Sequence, residues 1–259
     1  MAIVVIDPGH GGQQNIGGSD ANHAVSGSGM LEKSFTLDLA RRLRWSLQHG
    51  SSKLYADSVG KSVEVILTRD GDTNLGLDAR ATVAAEKDAD LFLSIHCNGW
   101  PDNATRRIRG TEAYVDRKYV RPKYVVSAGK AIGQEGPGDR ATGLRNVNVE
   151  ADAKFAAAMA SAFVNALSQY DSGARLRSAR YTAAQNGEAW TPPPGVKMTG
   201  LGVLRDAKLG TVGNQCRACL LETEFIDHPA VDRVLNSGDI VTVRNALAAA
   251  LGKAIVDAI

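Results

Sequence analysis

The chain has 259 residues, a formal net charge of +2 at pH 7, and 44% hydrophobic against 22% charged residues. That length suits one large domain or two small ones and suffices to bury a sizeable core. The near-neutral balance speaks against a dedicated nucleic-acid binder, no apolar run approaches the ~20 residues that span a bilayer, and three cysteines cannot build a disulfide framework.

The first element is an apolar run at residues 3–6, which reads as a strand and ends in Asp7, Pro8, Gly9, His10, Gly11 and Gly12. The start lacks the basic head and long apolar stretch of a signal peptide, so the chain as written is expected to be made in the cytoplasm or to be a trimmed mature form. The glycines fit neither phosphate-binding fingerprint. Gly-Lys-Ser/Thr is absent, and Gln14 stands where the dinucleotide motif needs glycine. They are expected instead to turn the backbone sharply and clear space around His10.

A polar stretch containing His23 and a flexible SGSG at 26–29 leads into a predicted helix over 31–48. There Leu31, Phe35, Leu39, Leu43 and Leu47 recur every four residues on one face. Glu32 lies in its first turn, and His49 sits at its end, a favourable place for a cation. A second strand at 63–67 precedes Thr68, Arg69 and Asp70, the last two read as stabilising the turn. Residues 78–88 read as helix, and a third strand at 91–95 runs into His96 and Asn98.

The basic stretch 106–124, with Tyr114, Tyr119 and Tyr124, reads as solvated strand and loop faces rather than a base-stacking surface. No nucleic-acid partner is expected. Residues 152–168 are helical in pattern. The Gly/Pro-rich stretches 133–150 and 171–200, the second with Trp190 before three prolines, suit a lid, a substrate wall or long loops. A fourth strand at 219–221 precedes Glu222, and the tail after Thr242 is helical with Leu247, Leu251 and Ile255 in register. Cys216 and Cys219 form a C-x-x-C without the second pair a structural zinc site needs, and read as packing thiols. His228, before Pro229, reads as structural.

Strands alternating with helices predict an α/β domain, and runs of Val, Ile and Leu predict strands buried on both faces of a parallel sheet. Such sheets bind ligands beyond the carboxyl ends of their strands. His10, His96 and Glu222 all sit there, so parallel neighbours would bring them to one edge. Adding Glu32 gives two imidazoles and a carboxylate, a set that suits catalytic zinc with one open position. H-E-x-x-H is absent, so the site must be assembled from separate elements. His23 is a candidate further ligand. Asn98, two residues after His96, is a candidate to bind substrate, to orient a ligand or to cap the strand.

DPGHGG at 7–12, EK at 32–33, TRDGDTNLGLDARATVAAEKDADLFLSIHCN at 68–98 and LLETEFIDHP at 220–229 occur in that order. With GTEAYVD at 110–116 and GVKMTGLGVLRDA at 195–207, they resemble the zinc-dependent N-acetylmuramoyl-L-alanine amidases, which cut peptidoglycan. The resemblance implies a twisted, mostly parallel sheet with helices on both faces. It implies a single catalytic domain over 1–259, with a poorly matching inserted region at about 117–194. It implies Zn²⁺ held by His10, Glu32 and His96, with Glu222 as the catalytic base. The implied partner is peptidoglycan, and the implied place of action is the bacterial cell wall, in the periplasm or outside the cell. Endolysin and autolysin roles both fit, and the oligomeric state stays open.

The chain departs from the family pattern after Glu222, where Glu224, Asp227 and His228 stand in place of a glycine and a Ser-Asn pair. In a continuing strand Glu222 and Glu224 share a face, so two close carboxylates are expected there and either is a candidate base; alignment with the family points to Glu222. The alternatives are a non-catalytic wall-binding or regulatory relative, and a zinc peptidase or deacetylase acting on another amide.

Overall fold

Residues 3–6 lie in β1 (Ala2–Pro8), where Val4 and Ile6 face one side of a sheet and Val5 the other. The chain continues through α1 (Glu32–Gln48), α2 (Ser51–Ser58), β2 (Val63–Leu67), α3 (Leu77–Glu86), β3 (Leu91–Asn98) and β4 (Glu112–Val115). A hairpin of β5 (Pro122–Ser127) and β6 (Lys130–Pro137) precedes α4 (Val149–Leu167) and β7 (Val196–Met198). A short ribbon, β8 (Gly210–Thr211) and β9 (Asn214–Gln215), leads to β10 (Arg217–Phe225), α5 (Pro229–Asn236) and α6 (Ile240–Ala258). The computed structural model describes residues 1–100, 105, 107–116, 122–127, 130–137, 149–177, 192–204, 207–211 and 214–259. Trp190, Tyr119, the side chain of Tyr124, and the parts of the stretches 133–150 and 171–200 at 138–148 and 178–191 lie outside the described residues.

Six strands form one sheet in the order β2-β1-β3-β10-β4-β7. The first four are parallel, β4 runs against β10, and β7 is parallel to β4. The expected single-domain α/β fold with a mostly parallel sheet is observed, and the antiparallel edge is what the sequence reading did not contain. Strands β4 and β7 are short and carry charged residues, so no apolar run announces them.

Period-two geometry divides the core. On one face Val4, Ile6, Leu93, Ile95, Cys219 and Leu221 pack under α1, α4 and α6. On the other, Val5, Phe92, Ala218 and Leu220 meet Ala81 and Ala84 of α3 and Leu204. Phe35, Leu39, Leu43 and Leu47 of α1 are all buried, as their spacing predicts. Each such side chain contributes about 1.5–3 kcal/mol on burial. Cys216 and Cys219, three residues apart, fall into the two opposite clusters, so they pack as separate thiols. No described helix is long and apolar enough to cross a membrane.

Candidate metal centre

The parallel order β1-β3-β10 sets the carboxyl ends of three strands side by side. His10 follows β1, His96 lies in β3, and Glu222 in β10 is its register partner. Glu32 opens α1 and turns in from the side. His10 takes a left-handed backbone, φ 61°, an unusual conformation for a residue with a Cβ. Glycines make room for it. A Cβ on Gly9 would lie 2.3 Å from His96 Cε1, and one on Gly11, at φ 135°, would lie 2.3 Å from the Thr73 carbonyl.

Two buried arginines hold this loop from beneath. Arg80 donates to the carbonyls of Leu75, Pro8 and His10 and pairs with Asp7 at 2.7 Å. Arg69 donates to the carbonyls of Pro8, Gly9, Gly71 and Lys33. Arg69 therefore reaches beyond the turn assigned to it from sequence and ties His10's loop to the first turn of α1. Asp70, by contrast, pairs with Arg41 and Arg44 near the surface. Asp7 also accepts from Thr68 and Ser94. Burial alone would raise its pKa, but Arg80 and the two hydroxyls hold it below the usual carboxylate range.

Truncating Arg80 to Ala leaves the buried Asp7 with the Thr68 and Ser94 hydroxyls but without its paired cation, and this should lower stability by about 3–5 kcal/mol, read from urea unfolding midpoints. The sign of the pH effect follows from Asp7's depressed pKa. Its contribution is complete above its unfolded value, near 3.8, and is lost as pH falls through the lower folded value. The stability gap between wild type and Asp7→Asn should therefore narrow below about pH 4.

Three donor atoms, one each from His10, Glu32 and His96, lie within 4.8 Å of one another. Glu32 Oε1 is 3.2 Å from His10 Nε2 and 3.1 Å from His96 Nδ1. His10 Nδ1 donates to the Asp20 carbonyl at 2.9 Å, which fixes the ring and leaves Nε2 turned toward the other donors. Glu32 is further held by the backbone N–H groups of Ala24 and Cys97. Burial opposes ionisation of Glu32, yet hydrogen bonds and charge from the two imidazoles hold its pKa far below the usual value. His10 is the mirror case: burial lowers its pKa, and the Glu32 carboxylate more than reverses this.

A cleft of about 440 Å³ opens over these groups, lined also by His23, Asn98, Tyr114 and Glu222. Glu222 Oε2 is buried with no hydrogen-bond partner among the described residues. Burial, then the charges of Glu32 and Glu112, push the Glu222 pKa well up, with Lys197 opposing. The site thus pairs a three-donor cage suited to a cation with an unpartnered carboxyl group beside it.

Several sequence readings change here. Glu222 and Glu224 do not form a carboxylate pair. The β3–β10 register shifts between Glu222 and Phe225, and Glu224 is taken up by Arg109, at 2.9 Å, and by the Gly110 N–H. The carboxylates that raise Glu222 are Glu32 and Glu112. Arg109, from the basic stretch, also grips Asp171 and so serves the interior. His23 lies on the cleft rim, stacked 6.4 Å from His10, outside the three-donor group. His49 is the C-cap residue of α1. His228 is the N-cap of α5, its Nδ1 accepting from the Ala230 N–H, the structural role its place before Pro229 suggested. Sequence reading missed Glu112, Lys197 and Arg80. The signal available was a charged residue inside an otherwise small or apolar motif.

A family model described as N-acetylmuramoyl-L-alanine amidase matches residues 4–257. The chain is 36% identical over 116 residues to N-acetylmuramoyl-L-alanine amidase LytC of Bacillus subtilis (strain 168), a stretch that is 45% of this chain and 19% of LytC. It is 35% identical over 99 residues to AmiA of Escherichia coli (strain K12), 38% of this chain and 28% of AmiA. The matches thus span less than a third of either relative's length. Among solved structures, the catalytic domain of CwlV, an amidase from Bacillus (Paenibacillus) polymyxa var. colistinus, aligns over 99% of this chain and 97% of its own with a TM-score of 0.58 and 21% identity. The amidase from Clostridium difficile 630 aligns over 99% and 95% with a TM-score of 0.60 and 20% identity. These two likenesses are of fold. With the family model running from the first strand to the last helix, the chain belongs to the N-acetylmuramoyl-L-alanine amidase family.

Proposed function

We propose that the protein hydrolyses the amide between the lactyl group of N-acetylmuramic acid and L-alanine in bacterial peptidoglycan, with Zn²⁺ held by His10, Glu32 and His96. In this reading residues 1–259 form one catalytic domain with an inserted region at about 117–194, and the protein acts at the cell wall. The donor set fits zinc: two imidazole nitrogens and one carboxylate oxygen, the mixture that catalytic zinc sites use. When bound, zinc supplies Lewis acidity, polarising a carbonyl and lowering the pKa of water from 15.7 toward ~7.

The observation that carries the reading is Glu222, whose buried, unpartnered Oε2 lines the same cleft as the three donors. Its carboxylate takes a proton from the attacking water and returns one to the leaving amine as the C–N bond breaks. The products are a free lactyl carboxylate and a free L-alanine amine. Digestion of purified peptidoglycan followed by mass analysis tests this. Free stem peptides with uncut glycan are expected. Peptides cut internally, or sugars deacetylated with the stem attached, would replace the reading with peptidase or deacetylase chemistry. No product at all would indicate a binding protein.

A further inference from the structure

The cleft wall between β3 and β4 is organised by a carboxylate that no motif singled out. Glu112 is fully buried and is the register partner of Glu222 across β4 and β10. Its Oε1 accepts from Asn98 Nδ2 at 2.9 Å, from the Tyr114 hydroxyl at 2.9 Å and from Arg177 Nη1 at 3.2 Å. Its Oε2 accepts from Lys197 Nζ. Paired with a lysine and an arginine, this carboxylate has only acceptors to offer.

That fixes the polarity of its neighbours. An Asn side chain has a donor end and an acceptor end, and the two are exchanged by a simple flip. Glu112 permits one of the two orientations. The Asn98 NH₂ must face Glu112, so Oδ1 is the end left for the cleft that Asn98 lines beside His96 and Glu222. No donor among the described residues bonds to that Oδ1. Tyr114, also in the cleft wall, gives its only hydroxyl proton to the same carboxylate. The wall next to Glu222 therefore offers acceptors. A substrate group that satisfies it must be an N–H or O–H donor.

We propose that Asn98, oriented by Glu112, accepts a hydrogen bond from an amide N–H of the stem peptide, making Asn98 a substrate-contacting residue and Glu112 its positioning residue. This rests on the peptidoglycan-amidase reading and deepens it by assigning a polarity to one wall of the cleft. Lys197 and Arg177 act through Glu112, keeping it an acceptor.

Binding measurements on zinc-loaded protein test this, in a Glu222→Gln background so that ligand is not consumed. The probes are synthetic muramyl-L-alanyl-D-isoglutamine and two analogues N-methylated, one at the alanine nitrogen and one at the isoglutamine nitrogen. With Asn98 present, one of the two methylations should weaken binding about 10-fold, the size of one lost hydrogen bond. With Asn98→Ala, the unmodified ligand should bind about 10-fold more weakly, and methylation should cost nothing further. A purely structural role for Asn98 would leave the methylation penalty intact. Asn98→Leu, similar in shape and lacking the acceptor, replaces the alanine variant if that one unfolds.

For Glu112, the double variant Glu112→Gln/Lys197→Met removes both members of the buried pair together. Loss of the methylation penalty is expected, and a retained penalty would overturn the positioning role. The proposal as a whole is overturned by a penalty that persists in Asn98→Ala, by equal binding of all three ligands, or by an unmodified ligand that does not bind. Release of stem peptides from peptidoglycan by the wild type, assayed in parallel, separates the two levels. Peptide release with a flat binding cycle defeats this proposal alone, and absence of release defeats the amidase reading beneath it.

Discussion

Stripping the protein of metal with a chelator should abolish release of stem peptides from peptidoglycan, and one equivalent of Zn²⁺ should restore it. Three donors from three separate elements meet within 4.8 Å, and no other group of His, Cys, Asp or Glu among the described residues is arranged to hold an ion. Metal should also be visible apart from turnover. A ligand that binds only the folded state stabilises it by RT ln(1 + [L]/Kd), so the melting temperature should rise on zinc addition. His10→Ala or His96→Ala should remove most of that rise. Protons compete with metal for imidazole nitrogen, and the Glu32 carboxylate raises the proton affinity of His10. Zinc uptake should accordingly release protons and weaken as pH falls. Unchanged turnover by protein shown to be metal-free would end the zinc reading.

Glu222→Gln should lower kcat by about 10²-fold or more while metal content stays at one per chain. The glutamine keeps the shape of the side chain and removes its capacity to accept the proton. Glu222's surroundings suit that task. Burial and the charges of Glu32 and Glu112 raise its affinity for a proton, and no hydrogen bond from the described residues diverts Oε2. Glu224→Gln is the contrasting experiment. Its carboxylate is locked to Arg109 and the Gly110 N–H, so the loss should appear as lower stability with the chemical step largely kept. Near-normal turnover by Glu222→Gln, or loss of its metal, would overturn the assignment.

The sequence carried the sheet and the ligand edge for a definite reason. Runs such as residues 3–6 and 91–93 are apolar on both faces, as suits a short strand buried on both sides. The residue following such a run necessarily sits at the strand's carboxyl end, where α/β sheets collect their ligands. Glu32 was legible because the four-residue repeat of α1 marks where that helix begins.

What stayed hidden depends on partners distant in the chain. Arg80 reads as an ordinary helix residue until β1 passes beneath it and offers the Asp7 carboxylate and the Pro8 and His10 carbonyls. Glu112 and Lys197 lie 85 positions apart and meet only because β7 pairs with β4. Glu224 follows Glu222 by two, and simple alternation puts both on one face; a register shift between Glu222 and Phe225 and the hold of Arg109 give Glu224 partners of its own. Local periodicity determined which elements form and where they end. The pairing of buried charges was decided by strand order and register, since a carboxylate's partners are set by which segments pass within about 3 Å of it, and no spacing along the chain encodes that.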